Sequence, residues 1–120
     1  MADSKTPLEA EKYYHIFNHA VGNENLFNSD RNYLYFLDKL RLYINNYAEL
    51  YAYCLMSNHF HFIIKIKTFD VISREYKKKP NFKESKLKDK YFVPNILSRQ
   101  FGHLFNTYAQ AYNKEYNRKG

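Results

Sequence analysis

Tryptophan is absent and cysteine occurs once, at Cys54. A lone cysteine closes no intramolecular disulfide and completes no cysteine-based structural zinc site, and such usage fits a reducing cytoplasm. No run of roughly 18 apolar residues is present to span a bilayer. The opening MADSKTPLEAEK has no apolar core of a secretion signal. These absences point to a soluble cytoplasmic protein without a membrane partner. Acidic residues are also scarce, 12 against 19 Lys and Arg, which leaves a formal charge of +7 and a pI near 9.4. That balance favours polyanionic partners, nucleic acid above all, although it also serves solubility. What is plentiful is aromatic: 13 Tyr and 10 Phe lie in a 120-residue chain that is 45% hydrophobic, enough for one small domain with a modest core.

Residues 1–11 read as a flexible polar N-terminus and residues 12–120 as a single domain. KYYHIFNHAV, 12–21, is aromatic and β-branched enough for a strand, and GNEN after it is a turn. NSDRNYLYFLDKLRLYINNY has helical period. Tyr33, Phe36, Leu37, Leu40, Tyr43, Ile44 and Tyr47 recur at three- and four-residue spacing, and Ser29 or Asp30 serves as N-cap. ELYAYCLMS and HFHFIIKIK form a hairpin about Ser57-Asn58. The stretch 68–91 reads as a long basic loop; from residue 71 onward eight cations face only Glu75, Glu84 and Asp89. A solvated charge run and a nucleic-acid contact explain it equally well. VPNILSRQFGHLFNTYAQAYNKEYNRKG restores helical period, with Pro94 in the first turn and Gly120 placed as a C-cap. The order is the ferredoxin-like βαββα of an α+β fold, with its last strand missing: an antiparallel sheet with helices on one face.

The third strand carries the chemistry. Its alternation sends Phe60, Phe62, Ile64 and Ile66 to one face and His59, His61, Ile63, Lys65 and Lys67 to the other. The histidines therefore stand on the face the helices leave open. Two imidazoles at i and i+2 on a strand are roughly 6–7 Å apart at their backbones, within reach of one metal ion. An H-x-H alone is short enough to be an ordinary pair on an exposed face. His15 and His19, on the first strand, can supply a further ligand or a supporting contact, or can be ordinary strand residues; His103 reads as structural. An ion held by two protein nitrogens keeps open positions for a phosphate oxygen, which suits a phosphodiester substrate. Such chemistry needs a nucleophile, and tyrosine can serve. Tyr108, Tyr112 and Tyr116 follow one another at four-residue spacing, but the first two belong to the apolar stripe of their helix.

YYHIFNHAV, LYAYCLMSNHFHFIIKI and LSRQFGHLFNTYAQAYNKEYNRKG together resemble the single-tyrosine HUH transposases, in particular their REP-associated relatives. The resemblance runs from Tyr13 to Gly120, and its specific core is YCLMSNHFHFII. It implies a ferredoxin-like domain working as a homodimer on single-stranded or hairpin DNA. It makes His59 and His61 the ligands of Mg²⁺ or Mn²⁺ and gives them a catalytic role through that metal. It also implies cleavage and rejoining of the strand through a 5′-phosphotyrosine link. Lys65, Lys67 and the basic stretch with Lys77, Lys78 and Lys79 then contact the DNA backbone. The family's nucleophilic tyrosine lies in a later segment, Tyr-Ile-His-x-Asn-Pro, that has no counterpart here, so no residue of this chain inherits that role. The chain reads as truncated before the nucleophile, or as a non-catalytic binding remnant.

Overall fold

The computed structural model describes residues 6–118. Three strands and four helices follow in the order β1 (Tyr13–His19), α1 (Asp30–Ile44), β2 (Ala48–Met56), β3 (His59–Ile66), α2 (Phe69–Lys77), α3 (Glu84–Leu87) and α4 (Phe92–Glu115). The sheet order is β1-β3-β2, with β3 antiparallel to both neighbours. β1 and β2 thus run parallel with β3 inserted between them, the split arrangement of the ferredoxin-like order. α1 and α4 cover one face of this α+β sheet.

Local chemistry explains the elements. Ser29 caps α1 in a reciprocal box: its Oγ accepts from the Asn32 amide at 3.3 Å while Asn32 Oδ1 accepts from the Ser29 amide at 3.1 Å. Phe36, Leu40 and Ile44 of α1 meet Leu97, Phe101, Leu104 and Tyr108 of α4 in the core, with Phe60, Phe62, Ile64 and Ile66 beneath them. β3 alternates strictly, its even positions no more than 4% exposed. That alternation pins the register, because a one-residue slip would turn four large apolar side chains into water.

Two features differ from the sequence reading. The 68–91 stretch is not a loop throughout: Thr68 caps α2, its Oγ1 accepting from the Val71 amide at 3.3 Å, and α3 follows. α2 forms because Ile72 and Tyr76, one turn apart, are buried against the chain, and Tyr76 packs edge-on to Phe92 at 5.1 Å. Residues 6–11 are also tied down: the Glu11 amide donates to Ile66 O at 2.9 Å, and the Tyr14 hydroxyl donates to Pro7 O at 3.1 Å. Residues 1–5 of the expected N-terminal segment and the Gly120 cap lie outside the described residues; α4 ends at Glu115. Among the described residues no helix is long and apolar enough to cross a membrane.

Candidate metal and nucleic-acid face

The strand register builds a histidine cluster that spacing within one strand cannot show. His19 lies opposite His59, Phe17 opposite His61, and His15 opposite Ile63. All point away from the helices. His19 stacks on His59 with ring centroids 5.2 Å apart, and His15 stacks on His61 at 5.0 Å. His59 and His61 meet edge to face at 5.1 Å. The four rings form a continuous polar row across two strands.

Hydrogen bonds orient the two central rings. His59 Nδ1 pairs with Asn58 Oδ1 at 2.8 Å, and His61 Nδ1 pairs with His15 Nε2 at 2.8 Å. Asn58 Oδ1 can only accept, so the contact uses the His59 Nδ1–H as donor and leaves Nε2 turned away from it. The arrangement matches the outer partners that metal-ligating imidazoles employ. His61 is held below the usual histidine range, first by loss of hydration among its neighbours, then by the charges of His15, His59 and His19. The shift favours the neutral imidazole, the form that binds metal.

The donor set suits an ion that keeps several open positions. Among the described residues no group of three or more His, Cys, Asp or Glu side chains is disposed to hold a metal. The positions beside the central histidines are His19 and Met56 for His59, and Phe17 and Cys54 for His61. None is a carboxylate. Two imidazoles without a carboxylate depart from the oxygen shell that Mg²⁺ demands. Imidazole suits zinc, copper, iron or nickel better than either expected ion; of those two, Mn²⁺ would be the less mismatched, with oxygen ligands needed to complete its shell.

The rest of the open face is aromatic, with Lys65 of β3 in register opposite Glu49 of β2. A β-bulge between Leu50 and Ala52 makes Tyr51 the extra residue of β2 and re-aims it. Its ring lies 5.3 Å from that of Tyr13, and both are more than half exposed. Lys65 Nζ sits 5.4 Å over the Tyr13 ring. Ile63 lies between Lys65 and His61 on β3, and Phe17 sits among the histidines opposite His61; both are over a third exposed. Exposed rings flanked by a cation make a surface on which unpaired bases can stack. Tyr13, Phe17 and Tyr51 are what the sequence reading missed. Parity along β1 pairs Tyr13 and Phe17 with His15, but the bulge that brings in Tyr51 leaves no local signal.

Of the lysines expected to touch DNA, Lys65 lies within β3 on the histidine face. Lys67 follows the end of β3, its amide donating to Tyr47 O at 3.0 Å. Lys77, Lys78 and Lys79 close α2, and Lys78 is paired with Glu75 at 3.0 Å. Lys79 Nζ lies 3.2 Å from the side-chain oxygen of Gln100 once that amide takes the orientation that satisfies both its ends. α2 begins beyond the far end of β3 from His59, roughly 23 Å along the strand. The structure does not bring these three lysines to the histidines.

The tyrosines of α4 are structural. The Tyr108 hydroxyl donates to Leu26 O, that of Tyr112 to Asn25 O at 2.9 Å, and that of Tyr116 to Asn32 Oδ1 at 3.0 Å. Together they stitch α4 to the 25–32 segment on the helix side of the sheet. Burial and the neighbouring tyrosines push the Tyr108 hydroxyl well above the usual tyrosine range, the opposite of activation. His103 is exposed on α4, its ring 5.9 Å from that of Tyr43. Compared with known proteins, the chain matches no family model, no curated protein and no solved structure.

Proposed function

We propose that this protein is an HUH-class, transposase-type DNA-binding domain whose open sheet face takes single-stranded or hairpin DNA. His59 and His61 would hold a divalent ion there, Mn²⁺ in preference to Mg²⁺. The observation that carries the reading is the row of four histidines, hydrogen-bonded and stacked, beside exposed Tyr13 and Tyr51 on the open sheet face. A bound divalent ion supplies polarisation of a scissile phosphate. The chain's own residues do the rest: His15 and Asn58 orient the ligand rings, Tyr13 and Tyr51 stack on bases, and Lys65 neutralises a phosphate. The activity of the class is metal-assisted cleavage and rejoining of single-stranded DNA through a phosphotyrosine, in a homodimer. A cytoplasmic location, with Cys54 a free thiol, accompanies it.

A second reading, a nucleic-acid-binding domain without catalysis, is favoured by the α4 tyrosines, whose hydroxyls are engaged on the side of the sheet away from the histidines. Labelled single-stranded hairpin DNA, with Mn²⁺ or with chelator, separates the two on paired native and denaturing gels. Metal-dependent covalent adduct on the denaturing gel supports the catalytic reading. A native-gel shift without adduct supports the binding reading. Absence of any shift refutes both.

A further inference from the structure

At the other end of the molecule, α2, α3 and the start of α4 enclose a cleft of about 210 Å³. Phe92, Asn95, Ile96 and Arg99 recur at three- and four-residue spacing, so they line one stripe of α4. Tyr76 of α2 and Lys86 of α3 face that stripe, and Asp89 closes one side. The floor is apolar: Tyr76, Phe92 and Ile96 are each 5% exposed or less. The rim is polar and exposed, with a Lys86 ammonium, an Arg99 guanidinium and the Asn95 amide. Among the described residues neither Lys86 nor Arg99 has an ion-pair partner. Asp89, three residues after Lys86, instead accepts from the Tyr91 amide through Oδ1 at 2.9 Å.

An aromatic floor under two cations, which outnumber the single Asp89 carboxylate, selects a ligand that is flat and apolar at one end and anionic at the other. An amide and a carboxylate at the rim add a donor and an acceptor suited to the polar edge of a ring. The space is below the roughly 300–1,000 Å³ of a drug-sized pocket. It admits one base and sugar, not a duplex. We infer that the cleft is a nucleotide subsite, holding one unpaired nucleotide of a DNA strand, with the base on the Tyr76–Phe92 floor and its phosphate between Lys86 and Arg99. A free nucleotide has the same chemistry. Exposed Lys83, whose amide donates to the Tyr76 hydroxyl, and exposed Lys88 and Lys90, which flank Asp89 in the chain, favour a polynucleotide, whose neighbouring phosphates they can neutralise. This inference rests on the nucleic-acid reading above and adds to it a contact remote from the histidines.

The test is photocross-linking of the full chain to a single-stranded oligonucleotide carrying iodouracil at successive positions, with adducts mapped by mass spectrometry. One position is expected to mark Tyr76 or Phe92. Asn95→Phe, which fills the cleft without changing charge at an exposed position, should remove that adduct and weaken binding roughly tenfold, within the range for loss of one stacked base. Arg99→Glu should do the same, whereas Lys39→Glu, on α1, should leave the adduct intact. Adducts confined to Tyr13, Phe17 or Tyr51, with binding retained, would overturn the cleft while leaving the proposed function standing. Displacement of the adduct by stoichiometric free thymidine monophosphate would overturn the polynucleotide assignment. Loss of all binding and all adducts in the unmodified protein would overturn both readings.

Discussion

Replacing His15 by Phe removes the hydrogen bond to His61 Nδ1 while keeping a flat ring against its neighbours. The contact is 2.8 Å long and joins the imidazoles across paired strands, so it fixes the orientation of the His61 ring. Loss of such an outer partner typically weakens metal binding by about 10–100-fold, equivalent to roughly 1.4–2.7 kcal/mol. The fold should be little affected, because His15 is exposed and its backbone pairing in β1 is unchanged. Isothermal titration of Mn²⁺ at pH 7.5, beside thermal unfolding of the metal-free protein, separates these effects. His15→Phe should lose affinity within that range with an unfolding midpoint close to the parent. His15→Gln, which can still hydrogen-bond to an imidazole nitrogen, should recover part of the loss. His61→Ala should lose more than either. Unchanged Mn²⁺ affinity in His15→Phe would refute the orienting role, and unchanged affinity in His61→Ala would refute the site.

Three further outcomes follow from other parts of the structure. Tyr13→Ala and Tyr51→Ala should each weaken single-stranded DNA binding by about 1–3 kcal/mol, as loss of a base-stacking ring does; fluorescence anisotropy with an unstructured oligonucleotide reads the change. Asn32 is buried and its side chain serves the amides of Asn28 and Ser29, the Tyr116 hydroxyl and Glu115, so Asn32→Ala leaves several of these without partners. It should cost roughly 2–3 kcal/mol in urea unfolding. Tyrosine in the unfolded chain ionises near pH 10, whereas buried Tyr108 keeps its proton above that, so the unfolded chain then binds fewer protons and stability falls as pH rises past about 10. Tyr108→Phe should flatten that alkaline decline in thermal scans, while an equal decline in the variant would contradict the assignment.

The sequence carried the fold where a short period repeats without interruption. β3 is the clearest instance: four apolar residues at every second position identify both the core face and the face given to His59 and His61. The stripes of α1 and α4 were legible for the same reason at helical spacing. α2 was not, because Ile72 and Tyr76 are two apolar positions among many charges, and the Lys77–Lys79 run outweighs them in any local window. The candidate site was legible within a strand and obscure between strands. That His15 meets His61 and His19 meets His59 depends on register, which is set by core packing of Ile16, Phe60 and Phe62, not by the histidines. The bulge that delivers Tyr51 to Tyr13 and the cleft between α2 and α4 also arise from elements distant in sequence.

The claim that this open face holds the metal and the DNA strand is tested most directly by following the five histidine ring signals and the backbone amides in NMR spectra. Mn²⁺ would be added first and a single-stranded hairpin oligonucleotide second, with Mg²⁺ in place of Mn²⁺ for the shift measurements. The account predicts that Mn²⁺ broadens His59 and His61 first, His15 and His19 next, and leaves His103 sharp. DNA should then shift the amides around Tyr13, Phe17, Tyr51 and Lys65. Even broadening of all five histidines, with DNA shifts confined to the α1 and α4 surface, would contradict it.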